Sequence, residues 1–233
     1  MLKPMRTLLV ALLLPALPAG AAEMDKVLQP FIAHYQGRAS GLTVSDLGVR
    51  ELKSLGDGQY QLQYRADAMI YSLEETSVFR TQDEQIQPLT YNSSRGSFFS
   101  KRDVSMDFDW NKMQAKFDYK GRLGKFKLEP NTQDPLSGSL ELARILTADK
   151  QFIEYRAAEK KGIGTTKMEL IDQPELKSEV GNVKTWHLRR VHGNDYRSTE
   201  IWLLHDYPTI PVKVIQVEKG DEFQLDLTKF ELK

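Results

Sequence analysis

Residues 131–146 read NTQDPLSGSLELARIL. Asp134 is a good N-cap, and Pro135 stands at the first helical position, where its missing N–H would have no partner anyway. Leu136, Leu140 and Ala143 recur at helical spacing, and Leu142, Ile145 and Leu146 widen the stripe. The spacing predicts a helix over residues 135–148, with Glu141 and Arg144 as its few polar side chains. A helix this apolar must be covered on a broad face, and what covers it decides the fold.

Around this stretch the chain alternates with period two. GQYQLQYRADAM places Tyr60, Leu62, Tyr64 and Ala66 on one face, and VSMDFDW places Val104, Met106, Phe108 and Trp110 on one face with Ser105, Asp107 and Asp109 on the other. After an Asn111-Lys112 turn, Ala115, Phe117 and Tyr119 follow in phase. These are half-buried antiparallel strands. The last third, from VKTWHLRRV to EFQLDLTKFEL, reads as a meander of four strands. Turn signals predict roughly ten to twelve strands in all. The expectation is a mainly β protein: a large curved antiparallel sheet, half-barrel or open barrel, with one central helix on its concave face. A crossover helix on a sandwich edge is the alternative. No linker or repeat interrupts residues 23–233, which read as one domain.

The N-terminal stretch MLKPMRTLLVALLLPALPAGAAE has a basic head (Lys3, Arg6), a short apolar run and small residues before Glu23. This is the pattern of a signal peptide over residues 1–22, cleaved after Ala21 or Ala22. The run falls short of the roughly 20 residues that span a bilayer, so the expectation is an exported, periplasmic protein with no stable transmembrane anchor. The chain has no cysteine, so no disulfide and no lipid attachment to cysteine. Lys plus Arg number 32, as do Asp plus Glu; losing Lys3 and Arg6 leaves 30 against 32. That balance argues against nucleic acid as a partner.

The motifs TQDPLSGSLELAR, TEIWLLHDYPTIPVKV and EFQLDLTKFEL resemble an uncharacterised family of exported Gram-negative proteins, a domain of unknown function. Asp134, Pro135, Leu136 and Ser137 match that family's opening of a central helix, and Trp202, Pro211 and Val212 its C-terminal hairpin. The same hairpin and helix-in-sheet pattern is similar to the half-barrel lipoprotein carriers of the LolA and LolB type. That likeness implies a sheet wrapped around helices with a cavity for acyl chains.

Catalytic patterns are scarce. There is no G-x-S-x-G and no thiol. The histidines, His34, His187, His192 and His205, form no metal-binding spacing, although His187, His205 and Glu200 fall on neighbouring strands. Asp107 and Asp109 stand about 7 Å apart on one strand face. Paired carboxylates suit a glycosidase, but alternating acids on a wet face are usually solubilising charge. RGSFFSKR groups Arg95, Lys101 and Arg102 around Phe98 and Phe99, either as a hairpin whose two Phe cap the core or as basic and aromatic residues that suit a membrane surface or an anionic lipid or glycan.

The expectation is therefore a non-catalytic protein with no cofactor and no metal, binding an apolar ligand (a lipid or acyl chain) or a segment of an envelope protein. The expected cavity lining is Tyr64, Phe108, Trp110, Phe117, Leu136, Leu140 and Trp202. A packed envelope scaffold and an enzyme acting on envelope polysaccharide are the alternatives.

Overall fold

A computed structural model describes residues 24–39, 42–68, 71–97, 100–159 and 162–233. The signal-peptide stretch, Phe98 and Phe99 lie outside the described residues. Among the described residues fifteen strands form one antiparallel sheet: β1 Phe31–Ala39, β2 Leu42–Gly56, β3 Gln59–Ala68, β4 Tyr71–Gln82, β5 Gln85–Ser97, β6 Ser100–Asp109, β7 Gln114–Tyr119, β8 Arg122–Lys127, β9 Phe152–Glu159, β10 Gly162–Asp172, β11 Glu175–Ser178, β12 Gly181–Arg190, β13 Arg197–Leu204, β14 Pro211–Glu218 and β15 Asp221–Leu232. The strand order is β8-β7-β6-β5-β4-β3-β2-β1-β15-β14-β13-β12-β10-β9, with β11 paired to β12. The first and last strands are thus neighbours in mid-sheet, and the sheet curls without closing.

Fifteen exceeds the expected ten to twelve for local reasons. β2 runs through a register shift and Asp46 at φ 51°, which hide its alternation. β8, RLGKFK, is a polar edge strand, and β11 has four residues. Register shifts at His34/Tyr35, Tyr35/Gly37, Val78/Phe79 and Trp202/Leu203 bend the sheet. At Gly37 a Cβ would run into the Leu47 side chain, so glycine lets Leu47 fold inward across β1.

The two free edges are guarded. β8 carries Arg122, Lys125 and Lys127, charges that oppose edge-to-edge pairing. Against β9, the chain leaving β8 forms a short parallel bridge: Gln133 N–H donates to the Arg156 carbonyl (2.9 Å), and Ala158 N–H donates to the Gln133 carbonyl (2.7 Å). The Gln133 side chain crosses to donate to the Ile86 carbonyl on β5 (2.9 Å).

This bridge feeds the helix inside the curl. The regular helix, α1, spans Gly138–Ile145. It is shorter at both ends than the expected 135–148. Residues 135–137 instead form a tight turn built by Asp134, whose Oδ1 accepts from Leu136 N–H (2.7 Å) and Ser137 N–H (2.8 Å) while Ser137 Oγ accepts from Asp134 N–H (3.0 Å). The reciprocal pair is the logic of a capping box. At the other end Leu146 turns extended (φ −72°, ψ 120°) and packs with Leu142 and Ile153, which ends the helix. Leu136, Leu140 and Ala143 join the main core with Phe31, Tyr35, Leu52, Leu62 and Phe79. Leu142 and Leu146 join a second core with Met168, Trp186 and Leu188. The helix lies on the concave side and divides the interior between the two.

Candidate functional site

The division leaves the main core incompletely filled. A cavity of about 540 Å³ lies between the turn that precedes α1 and strands β1–β4, β14 and β15, walled by Leu47, Ala66, Ala68, Leu73, Val214 and Leu225, with Tyr64 and Leu136 also in its lining. It reaches the ends of β3 at Ala68 and of β15 at Phe223, which is 38% exposed. Its inner end is polar. Tyr35, Arg50, Tyr64 and Glu75 stand there.

Arg50 occupies the inward phase of β2 between Gly48 and Leu52, so the pleat drives a guanidinium into the core. Its Nη2 donates to Ser139 Oγ on the helix (2.5 Å), but its Nε is buried with no partner. The Tyr35 hydroxyl is likewise buried and unpartnered. Burial pulls the Arg50 pKa down, opposed by Tyr35, Tyr64 and Glu75 nearby. Burial pushes the Tyr35 hydroxyl up and the Tyr64 hydroxyl up to about 12, so both remain protonated donors. Glu75 accepts from the Tyr91 hydroxyl (2.7 Å).

Of the seven expected lining residues, Tyr64 and Leu136 border this cavity. Leu140 is fully buried core, and Phe117 packs on Phe126 with ring centroids 6.2 Å apart. Phe108 and Trp110 border a different, open groove, and Trp110 Nε1 donates to the Pro88 carbonyl (2.6 Å). Trp202 is a correction: it faces the opposite side of the sheet, stacked on His187 (4.2 Å, 9°) with Lys213 Nζ 5.5 Å from its ring. The run Ile201-Trp202-Leu203-Leu204 is apolar in both phases, so alternation cannot select the face. Arg50 and Tyr35 were missed. The available signal was a charged residue in an inward phase, at Gly48-x-Arg50-x-Leu52.

The His187 cluster is built, though without His205. His187 is held between Asp172 (Nδ1···Oδ1 3.0 Å) and Glu200 (Nε2···Oε2 2.8 Å), and Arg189 also donates to Glu200. Burial raises the Glu200 carboxyl, but the bonds from His187 and Arg189 outweigh it and hold it low. His205 instead stacks on Trp186 (4.9 Å). Among the described residues no group of His, Asp and Glu is arranged to hold a metal.

At the outer end of β5 and β6, Arg95 faces Arg102 across the ladder, with Lys101 beside it, all exposed. Asp107 and Asp109 line the open groove of about 720 Å³ with Arg80 and Trp110. Asp109 accepts from Lys112 Nζ (2.7 Å) and Lys112 N–H (3.0 Å), bonds that hold its carboxyl below the usual range. A general acid needs the reverse shift. Asp107 sits on the exposed face opposite Lys116. The double substitution Asp107→Asn, Asp109→Asn should leave the melting temperature and the cellular role unchanged; a folded but inactive double variant would point to catalysis in this groove.

The DUF3108 family pattern, described as a protein of unknown function, matches residues 59–228. The chain belongs to that family. Among solved structures it is similar to the beta-barrel-like protein of the domain of unknown function DUF1849 from Brucella abortus, at 14% identity and TM-score 0.58, covering 88% of this chain and 98% of that one. A second structure, described provisionally as a lipoprotein of Parabacteroides distasonis, aligns at 8% identity and TM-score 0.31 over 87% of this chain and 95% of that one. No curated protein sequence matches. For this DUF3108 protein the Brucella likeness extends to the fold. Among the described residues no helix is long and apolar enough to cross a membrane.

Proposed function

We propose that this DUF3108 protein is an exported, non-catalytic binding protein that shelters an apolar ligand, a lipid or acyl chain, in the cavity between the turn that precedes α1 and the concave sheet. The observation that carries this reading is the cavity itself: about 540 Å³, walled mainly by apolar side chains, beside the main core. Ligand sites commonly measure about 300–1,000 Å³. Each methylene moved from water to such a wall contributes about 0.8 kcal/mol, so about fifteen of them, roughly 12 kcal/mol, would support roughly micromolar binding after an association cost of about 4 kcal/mol. The exposed Arg95, Lys101 and Arg102 give the outer end of β5–β6 a basic surface suited to anionic lipid. The reading agrees with what the likeness to LolA and LolB carriers implies.

Leu136→Ala tests it. Leu136 borders the cavity, so its truncation enlarges ligand space. The apo variant should melt lower than wild type, and saturating oleate should raise both, with binding at a hundredfold excess over Kd adding about 2.7 kcal/mol. A packed scaffold predicts that oleate shifts neither. An enzyme on envelope polysaccharide is the second reading, favoured by the groove that brings Asp107, Asp109, Arg80 and Trp110 together; the Lys112 clamp on Asp109 weighs against it.

A further inference from the structure

Resting on that reading, the inner end of the cavity specifies the ligand's head. Two buried donors there have no acceptor, Arg50 Nε and the Tyr35 hydroxyl, both on residues that line the cavity. Leaving a buried donor unpaired costs about 1–3 kcal/mol, more for a charged group. Among the described residues no carboxylate lies within 4.0 Å of Arg50. Its hydrogen-bond partner is a neutral hydroxyl, Ser139 Oγ. Glu75, the nearby acid, already has one oxygen on the Tyr91 hydroxyl. The site therefore sets a buried cation and a neutral donor beside one acid, Glu75, yet Arg50 Nε and the Tyr35 hydroxyl are left without an acceptor.

We propose that the ligand is a single-chain amphiphile with a carboxylate head, a long-chain fatty acid anion, seated head inward on Arg50 and Tyr35. One carboxylate oxygen accepts from Arg50 Nε and the other from the Tyr35 hydroxyl. The chain then runs past Tyr64, Ala66, Ala68 and Leu73 toward Phe223 at the open end. Charge-assisted bonds of this kind are roughly twice as strong as neutral ones, and stronger still away from water. The volume supports one chain: 540 Å³ falls in the lower half of the range for ligand sites. Leu136, on the turn that Asp134 builds, borders the same inner end, and Ser139 of α1 holds Arg50 in place. The helix thus positions the cation as well as filling the core.

The test measures dissociation constants of the mature protein for three probes: oleate, oleyl alcohol (the same chain with a neutral head) and dioleoyl phosphatidylglycerol (an anion with two chains). Oleate should bind tightest, ahead of the alcohol by about tenfold or more. Arg50→Met should erase that preference while keeping alcohol binding. Tyr35→Phe, which removes one unpartnered oxygen from the core and keeps the ring, should weaken oleate severalfold and leave the alcohol unchanged. If Arg50→Met does not fold, Tyr35→Phe decides the matter alone. Equal binding of oleate and alcohol by wild type overturns the head assignment and leaves the apolar-ligand reading standing. Variants that weaken both probes alike also overturn it. Tighter binding of phosphatidylglycerol than of oleate overturns the single-chain assignment. Binding of none of the three overturns both this inference and the function proposed above.

Discussion

Leu140→Ala should lower stability by about 3–5 kcal/mol, at the upper end of the range for a buried leucine. Leu140 is fully buried on the face of α1 that meets the main core. The sheet wraps that face from several strands, so the backbone cannot collapse into the void. For a chain of this length each kcal/mol moves the melting temperature by about 2–4 °C, giving a drop of about 6–20 °C in a thermal melt. Leu136→Ala should cost less, because Leu136 already borders a cavity and its removal opens no sealed void. Equal losses at the two positions would mean that the cavity does not exist in solution.

The second large effect is at Asp134, which is fully buried beneath β4. Ser77 Oγ on β4 donates to its Oδ2 (2.5 Å), while Oδ1 takes the N–H groups of Leu136 and Ser137. One side chain thus pins the entrance of α1 to the middle of the sheet. Asp134→Ala removes the cap, worth about 0.5–2 kcal/mol, and strands a buried hydroxyl, worth about 1–3 kcal/mol. A loss of roughly 2–4 kcal/mol should follow in urea unfolding. Asp134→Asn keeps the acceptor and offers Ser77 a donor in place of a charge, so the fold should survive. The two variants also separate by pH. Burial raises the Asp134 carboxyl from 3.8 to about 6, against the hydrogen bonds that favour its charged form. The folded state then holds a proton that the unfolded chain has lost, so stability from this group is present below about pH 3.8 and is lost as pH rises through 6. Relative to Asp134→Asn, wild type should weaken by roughly 3 kcal/mol between pH 4 and pH 7. A constant difference across that interval would mean that Asp134 is not buried as a charge.

Much of this architecture was legible in the residues. Strands such as β3 and β6 alternate cleanly because one face meets the core and the other meets water. The helix was legible because Asp134 and the leucine spacing leave little else for the segment to be, although its ends moved where side chains redirected the chain. The cavity's polar end was not legible. An inward arginine looks the same in sequence as an outward one shifted by a register slip, and β2 contains such a shift between Tyr35/Gly37 on its partner ladder. Trp202 failed for the opposite reason: the run Ile201-Trp202-Leu203-Leu204 of β13 is apolar in both phases, and only the stack on His187 reveals which way the ring points.

The central claim is that the interior holds an apolar ligand. Native mass spectrometry of the protein purified from its own cells without detergent tests it most directly. The account predicts a bound species with the mass of a single-chain fatty acid, released on collisional activation, and its return when oleate is added to stripped protein. A bare polypeptide mass that oleate never shifts would contradict it.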